Sequence, residues 1–407
     1  MKSRTRKGLA CLAALSFVAT ACGSDDGDDA SDTAATSDTE ATDTEAADTE
    51  AADTTPADTE PADTGSSDST APESGDESSG EDGATAGDKA GFILPDSASS
   101  ARWESFDRPL IEAACADAGI ECLIQNAEGD KNNTATIADQ MIADGIGVLA
   151  IVNLDSESGA AIQEKAAEAG VKNIDYDRLT LGGAADVYVS FDNVAVGTAQ
   201  GEGLIECFDG DTEGKKIIQL HGSPTDNNAT LFKQGYQEAI ADAGFETVGE
   251  EAVPDWDNAK GGEIFAQLLT AAGGDIDGVL VANDGLSLAA QAVLADNGLS
   301  GIPATGQDAT VDGLRAILQG SQCMTVYKPV IEEAQGAVDA AVALLNDSDL
   351  GANATIDNEV AEIPYVQAEV QSIFIEDVHV PVDDGFVSAD EVCAGIEDLC
   401  EANGVGG

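Results

Sequence analysis

The chain has 407 residues, with 78 acidic against 17 basic side chains and a formal net charge of −61. A charge of that sign and size disfavours nucleic acid and anionic lipid surfaces as partners. The two histidines, His221 and His379, are far apart in sequence, which argues against a histidine-built metal or catalytic centre.

The N-terminus reads as an export signal. Lys2, Arg4, Arg6 and Lys7 form a positive region, and Gly8 to Val18 is apolar. That apolar stretch of about eleven residues is too short to span a bilayer. The small residues Ala19-Thr20-Ala21 precede Cys22. The pattern predicts a lipoprotein signal over 1–21, cleavage before Cys22 and lipid attachment to its thiol. The protein would then be anchored to the outer face of the cell membrane. A plain signal peptide with an incidental Cys is the alternative. Gly23 to Asp88 hold 22 acidic residues, no basic residue and no aromatic, Leu, Ile or Val. Residues 22–88 therefore have nothing to bury and read as a disordered tether, about 45 Å across as a coil and longer under self-repulsion.

From Lys89 to Gly407 the remaining 319 residues suggest two domains. They keep 56 acidic and 13 basic residues, which reads as a solvated acidic surface. Apolar runs alternate with helical patterns. Gly91–Leu94 predicts a strand, Trp103–Ala118 a helix, Glu121–Gln125 a strand and Thr134–Ala143 a helix. Gly147–Val152 predicts a buried strand, Glu157–Ala169 a helix and Val171–Asp175 a strand, with another ending at Tyr188–Asn193. A second run has strands at Ile217–Leu220, Thr247–Val253, Gly278–Val281 and Ile302–Thr305. Its helices are Asn227–Ala241, Asn258–Ala271, Leu286–Ala295 and Val311–Gln319. Strand Met324–Val326 and helix Val330–Leu345 follow. This alternation predicts an α/β fold of two doubly wound parallel-sheet lobes.

In such sheets ligands bind at the carboxyl ends of the strands. Polar motifs sit at seven predicted strand ends: Asp96 with Arg102-Trp103, Asn153, Asp175–Arg178, Asp226–Asn228, Asp255-Trp256, Asn283-Asp284 and Gln307-Asp308. These side chains pair donors with acceptors and include no activated nucleophile, which suits a polyhydroxylated ligand that is held and not transformed. Trp103 and Trp256, the two tryptophans, fall one in each lobe in cleft loops. A pyranose ring between two indoles fits that placement; ordinary core tryptophans are the alternative.

Eight cysteines are present. Cys11 leaves with the signal and Cys22 takes the lipid, so six remain in an oxidising setting, with fifteen pairings open. Proximity favours Cys115–Cys122 and Cys393–Cys400, which leaves Cys207–Cys323. No Cys-x-x-Cys occurs, so the role expected is structural.

The sequence resembles the periplasmic-type sugar-binding proteins of ABC importers, and among them the D-xylose-binding proteins. The resemblance rests on Arg102-Trp103, Tyr176–Arg178, Tyr188–Asn193, Gly222–Ala229, Leu231-Phe232, Asn283-Asp284, Gly306–Asp308 and Met324–Pro329, in order and spacing, over Lys89 to about Asp383. Ser99-Ser100-Ala101 replaces a more polar stretch, the surroundings of Trp256 differ, and the segment with Cys393 and Cys400 lies outside the pattern.

The resemblance implies a type I periplasmic binding protein fold, with lobes joined by a hinge and a ligand cleft between them. Crossings are expected near Asp192–Asn193, Met324–Lys328 and Phe374–Val380. They divide the chain into 89–192 with 326–373, and 193–325 with 374–407. With position, the resemblance assigns sugar contacts to Arg102, Trp103, Asp177 and Arg178 on one side, and to Asp226, Asn228, Trp256, Asn283, Asp284 and Asp308 on the other, with Lys328 near a crossing. Asn227 or Asn228 is open as a helix cap, and either Asn283 or Asp284 as pointing away. The ligand implied is a monosaccharide, D-xylose first, with glucose, arabinose and ribose as alternatives, delivered to a membrane permease. A monomer without cofactor or metal is expected. The rival readings are a sugar-sensing subunit and a glycoside-processing enzyme, since paired carboxylates cleave glycosides. Against the enzyme, no Walker A lysine motif, Gly-x-Ser-x-Gly or Gly-x-Gly-x-x-G after the first strand is present.

Overall fold

A computed structural model of the chain describes residues 89–406, except 98 and 101. The export signal, Cys22 and the acidic tether lie outside the described residues. The chain opens with β1 (Lys89–Leu94), a π-helical turn at Trp103–Asp107 and α1 (Arg108–Ala118). Then come β2 (Glu121–Asn126), α2 (Lys131–Ala143), β3 (Val148–Ile151), α3 (Ser156–Glu168), β4 (Lys172–Tyr176) and β5 (Val187–Phe191). A second series follows: α4 (Asn193–Cys207), β6 (Lys216–His221), α5 (Asn227–Ile240), β7 (Glu246–Ala252), a 3-10 turn at Pro254–Trp256, α6 (Asn258–Ala271), β8 (Gly278–Val281), α7 (Asp284–Asp296) and α8 (Val311–Leu318). The chain then runs through β9 (Thr325–Tyr327), α9 (Val330–Leu345), β10 (Ala354–Asp357), β11 (Glu362–Ala368) and β12 (Gln371–Ile373). It ends in the short helices α10 (His379–Asp383), α11 (Ala389–Cys393) and α12 (Glu397–Ala402).

The first sheet has seven strands in the order β10-β11-β5-β4-β3-β1-β2. All pairs are parallel except the edge pair β10–β11. The second sheet is β7-β6-β8, parallel throughout. The strand expected at Ile302–Thr305 shrinks to one parallel bridge, Ala304 to Val279, because Pro303 has no N–H for a ladder. β9 and β12 form an antiparallel ribbon. Helix α9 returns to the first sheet, where Ala334, Ala337, Val338 and Ala341 pack among Phe92, Val148 and Ile174.

Most of these helices start on a side-chain cap placed just past a strand. Asp130, Asp155, Asp192, Asp226, Asp257, Asn283 and Thr310 each accept from a backbone N–H one or two residues into the following helix. Such caps contribute about 1 kcal/mol each. They also bring short polar side chains to the carboxyl ends of the strands.

Helices α4 and α5 touch through glycines. A Cβ on Gly197 would stand 2.0 Å from the Phe232 carbonyl oxygen, and one on Gly235 2.2 Å from that of Val194. The six cysteines pair as Cys115–Cys122, Cys207–Cys323 and Cys393–Cys400. The C-terminal segment packs Val387, Val392, Cys400 and Val405 onto Leu314, Ile317 and Leu318 of α8. Its Phe386 reaches the Phe106 ring at 4.4 Å.

Candidate functional site

The first-lobe wall starts in the loop after β1. Asp96 accepts from the Ser99 N–H (2.5 Å) and hydroxyl (2.8 Å), and the Ser99 hydroxyl accepts from Trp103 Nε1 at 3.3 Å. The π-helical turn then sets Arg102 beside its neighbour, with the guanidinium 4.4 Å from the Trp103 ring centroid. Single π turns of this kind are frequent at functional sites.

Arg102 is buried and saturated with acids. Its Nε and Nη2 donate to Asp107 (2.9 and 2.8 Å), Nη1 to Asp177 (2.9 Å) and Nη2 to Glu333 (2.5 Å). Tyr176 Oη also donates to Asp107 at 2.6 Å. Burial alone would lower the Arg102 pKa, but Asp107, Glu333 and Asp177 outweigh it and hold the guanidinium firmly charged. Burial likewise pushes Asp177 up, and the charges of Arg102, Lys328 and Arg178 bring its carboxyl below the usual range.

The second-lobe wall is built from helix starts. Asp226 caps α5 through Oδ1, to the Asn228 N–H at 2.9 Å. That leaves Oδ2 to accept from Trp256 Nε1 at 3.0 Å and to pair with Arg178 Nε at 3.1 Å. Asn283 caps α7 through Oδ1, to the Leu286 N–H at 2.9 Å. Lys328 Nζ pairs with Asp308 at 2.9 Å and lies 5.5 Å from the Phe191 ring centroid. Gly222 makes room for the second indole, since a Cβ there would stand 2.0 Å from Trp256.

Contacts between the lobes include the Arg178–Asp226 pair, Tyr188 Oη donating to Asn228 Oδ1 at 3.2 Å, and Asn228 Nδ2 donating to the Asp177 carbonyl at 2.8 Å. Asp177, Trp256 and Asp308 have left-handed backbones (φ 61°, 54° and 96°), as do their neighbours Asp255 and Ala309. Such conformations cost about 1–3 kcal/mol each and gather at ligand sites.

These groups line a cavity of about 360 Å³, counting the solvent at its mouth. Ten of the eleven residues assigned from sequence line it: Arg102, Trp103, Asp177, Arg178, Asp226, Asn228, Trp256, Asn283, Asp308 and Lys328. Asp284 does not, which corrects that assignment. Its side chain is fully buried elsewhere, accepting from Thr310 N–H (2.9 Å) and hydroxyl (3.0 Å), Gln322 (2.8 Å) and Thr325 (2.8 Å). Burial, then the charge of Asp308, push its pKa up to about 7. Asn283 and Asp284 are adjacent at a helix start, so their side chains leave in different directions and Asn283 keeps the cavity. Neither Asn227 nor Asn228 is the cap of α5; Asp226 is.

Ser99, Ser100, Phe232 and Gln307 also line the cavity and were not assigned from sequence. Phe232 and Gln307 stand inside matched motifs, which was the available signal. Gln307 Oε1 is buried with no hydrogen-bond partner. Among the described residues, no cluster of His, Cys, Asp or Glu is arranged to hold a metal ion.

Two parallel-sheet lobes enclosing a polar, tryptophan-lined cavity at their strand ends define a type I periplasmic binding protein fold. A family model described as a periplasmic binding protein domain matches residues 90–349. The D-xylose-binding periplasmic protein of Haemophilus influenzae is 34% identical over 268 residues, 65% of this chain and 79% of that protein. Its counterpart in Escherichia coli is 32% identical over 65% of this chain and 80% of its own. A carbohydrate transporter solute binding protein from Chloroflexus aurantiacus, solved with D-glucose, superposes with a TM-score of 0.69 at 30% identity, covering 74% of this chain and 97% of that one. The chain belongs to the xylose-binding-type periplasmic sugar-binding family, whose members are binding proteins and not enzymes.

Proposed function

We propose that this chain is the extracytoplasmic sugar receptor of an ABC importer, binding one monosaccharide, D-xylose first, and presenting it to a membrane permease. One observation carries the reading: a cavity lined by two indoles and by Arg102, Arg178, Lys328, Asp177, Asp226 and Asp308. Carboxylates accept from sugar hydroxyls while guanidinium and ammonium groups donate, and such charge-assisted bonds are the strong ones. The Trp faces suit the C–H faces of a pyranose. Contacts from both walls would favour the closed arrangement, with the lobes (89–192 with 326–373, and 193–325 with 374–407) hinging as a monomer about three crossings.

Glucose is the second ligand reading. It is favoured by the glucose-bound neighbour and by Ser99-Ser100 on the cavity wall where the xylose-binding pattern is more polar. A melting-temperature panel on the chain with D-xylose, D-glucose, L-arabinose, D-ribose and no sugar separates the readings. A sugar at a hundred times its Kd stabilises by about 2.7 kcal/mol. A shift with xylose alone supports the first reading, a shift with another sugar replaces the ligand, and no shift removes the sugar receptor.

We further propose that the chain is exported and lipidated on Cys22, so that the tether holds the receptor close to its permease. The support is the charged, apolar and small-residue order of residues 1–21. Cys22→Ser should abolish labelling by a radioactive fatty acid; labelling at the wild-type level would sink the anchor.

A further inference from the structure

We propose that Glu333 carries a proton that it shares with Asp177, and that this neutral carboxyl positions Arg102 and Asp177 for the sugar. The inference rests on the sugar-binding reading for its last step only. Glu333 does not line the cavity, so it is a positioning residue acting through two that do.

Three carboxyls, Asp107, Asp177 and Glu333, surround the single guanidinium of Arg102, and all four side chains are at most 7% exposed. Three full negative charges on one cation, shut off from water, are unfavourable unless one is neutralised. The hydrogen bonds identify which. Asp107 is satisfied on both oxygens, by Arg102 and by Tyr176. Asp177 is satisfied by Arg102 on Oδ2 and by Asn228 on Oδ1 at 3.2 Å. Glu333 receives Arg102 on Oε2, and its buried Oε1 has no partner.

Asp177 and Glu333 are held on neighbouring nitrogens of the same guanidinium, within hydrogen-bonding reach of each other. A proton on Glu333, donated to Asp177, gives the orphaned oxygen a partner and removes one charge. Burial pushes Glu333 well above the ordinary range, with Asp177 and Asp107 adding to it and Arg102 and Lys328 opposing. Asp177 is held low. Burial raises Asp107 too, but both Asp107 oxygens already accept hydrogen bonds, so the proton sits on Glu333, whose Oε1 has none. The other titratable groups around it are Tyr176, Tyr188 and Tyr365, from β4, β5 and β11. Glu332, its neighbour on α9, is exposed.

The sign follows from linkage. The folded protein keeps a proton that the unfolded chain releases at an ordinary glutamate pKa, about 4.3. Between that value and the raised folded one, the native state binds more protons, so stability falls as pH rises. Glu333→Gln keeps the shape, an acceptor for Arg102 and a donor for Asp177, and does not titrate.

The test compares the full wild-type chain with Glu333→Gln and Glu333→Leu, from about pH 6 to about pH 9. Without sugar, the wild type should show an infrared band of a protonated carboxyl that Glu333→Gln lacks, and a stability that declines more steeply with pH. With D-xylose, Glu333→Gln should bind within about threefold of wild type near pH 6, and the wild type should lose affinity about fivefold more than Glu333→Gln on going to pH 9. Glu333→Leu should bind about tenfold or more weakly. Identical bands and parallel stability profiles in wild type and Glu333→Gln would overturn the proton. A Glu333→Gln affinity as poor as that of Glu333→Leu would overturn the positioning role. If the wild type bound no sugar at all, the receptor reading would fail, while the sugar-free arms would still decide the proton.

Discussion

Arg102→Met should abolish detectable sugar binding and destabilise the folded part at once. The guanidinium donates four hydrogen bonds to three buried carboxyls and lies over the Trp103 ring, so it is at once a cavity wall and the counter-charge of the site. Removing one partner of a buried ion pair leaves uncompensated charge and typically costs about 3–5 kcal/mol. Asp107 and Asp177 would have to take up protons or water, and the π-helical turn would lose what holds it. Arg102→Lys keeps the charge but cannot reach three carboxyls with one ammonium, so it should recover part of the stability and little of the binding. Urea unfolding with calorimetric titration of the best-binding sugar reads both effects. A variant with wild-type stability would show that the acids around Arg102 are not a charge-balanced cluster.

Trp256→Ala should weaken sugar binding by about two orders of magnitude, a loss of about 3 kcal/mol, and leave the fold standing. The indole gives the second-lobe wall its largest apolar face. Its Nε1 also donates to Asp226, the carboxylate that pairs with Arg178 across the lobes. Truncation therefore removes stacking area and frees the Asp226 carboxylate together. The fold should tolerate it because Trp256 ends a 3-10 turn with a left-handed backbone, outside every strand. An affinity within about fivefold of wild type, measured by the same titration, would remove Trp256 from the site.

The α/β alternation, and the clustering of polar motifs at strand ends, were legible because both are local. Strand runs and helical periods are written in neighbouring residues, and Asp226 and Asn283 act as helix starts wherever the sheet lies. Helix α4 was not legible. Its buried side includes Gly197, Gly201 and Gly203, chosen for closeness to neighbours such as α5, and glycine carries no apolar period. The returning strands β10, β11 and β12 were missed as well, since β11 joins the sheet beside β5, with Tyr365 against Tyr188 far back in the chain. Asp107 and Glu333 escaped for the same reason. Both sit in helical stretches where an acid reads as surface, and the Arg102–Glu333 bond joins positions 231 apart. Asp284 was misassigned because a dipeptide does not report which of its two side chains turns inward.

The three disulfides place the cross-links where they do not hinder function. Cys115–Cys122 lies beside the first sheet, Cys207–Cys323 ties α4 to the approach to β9, and Cys393–Cys400 staples the C-terminal helices. None joins one wall of the cavity to the other. A binding protein built this way can be hardened by oxidation, half by half, and still admit its cargo, because an ion pair and hydrogen bonds between the walls are reversible. Salt, and not reductants, is the agent that should prise it open.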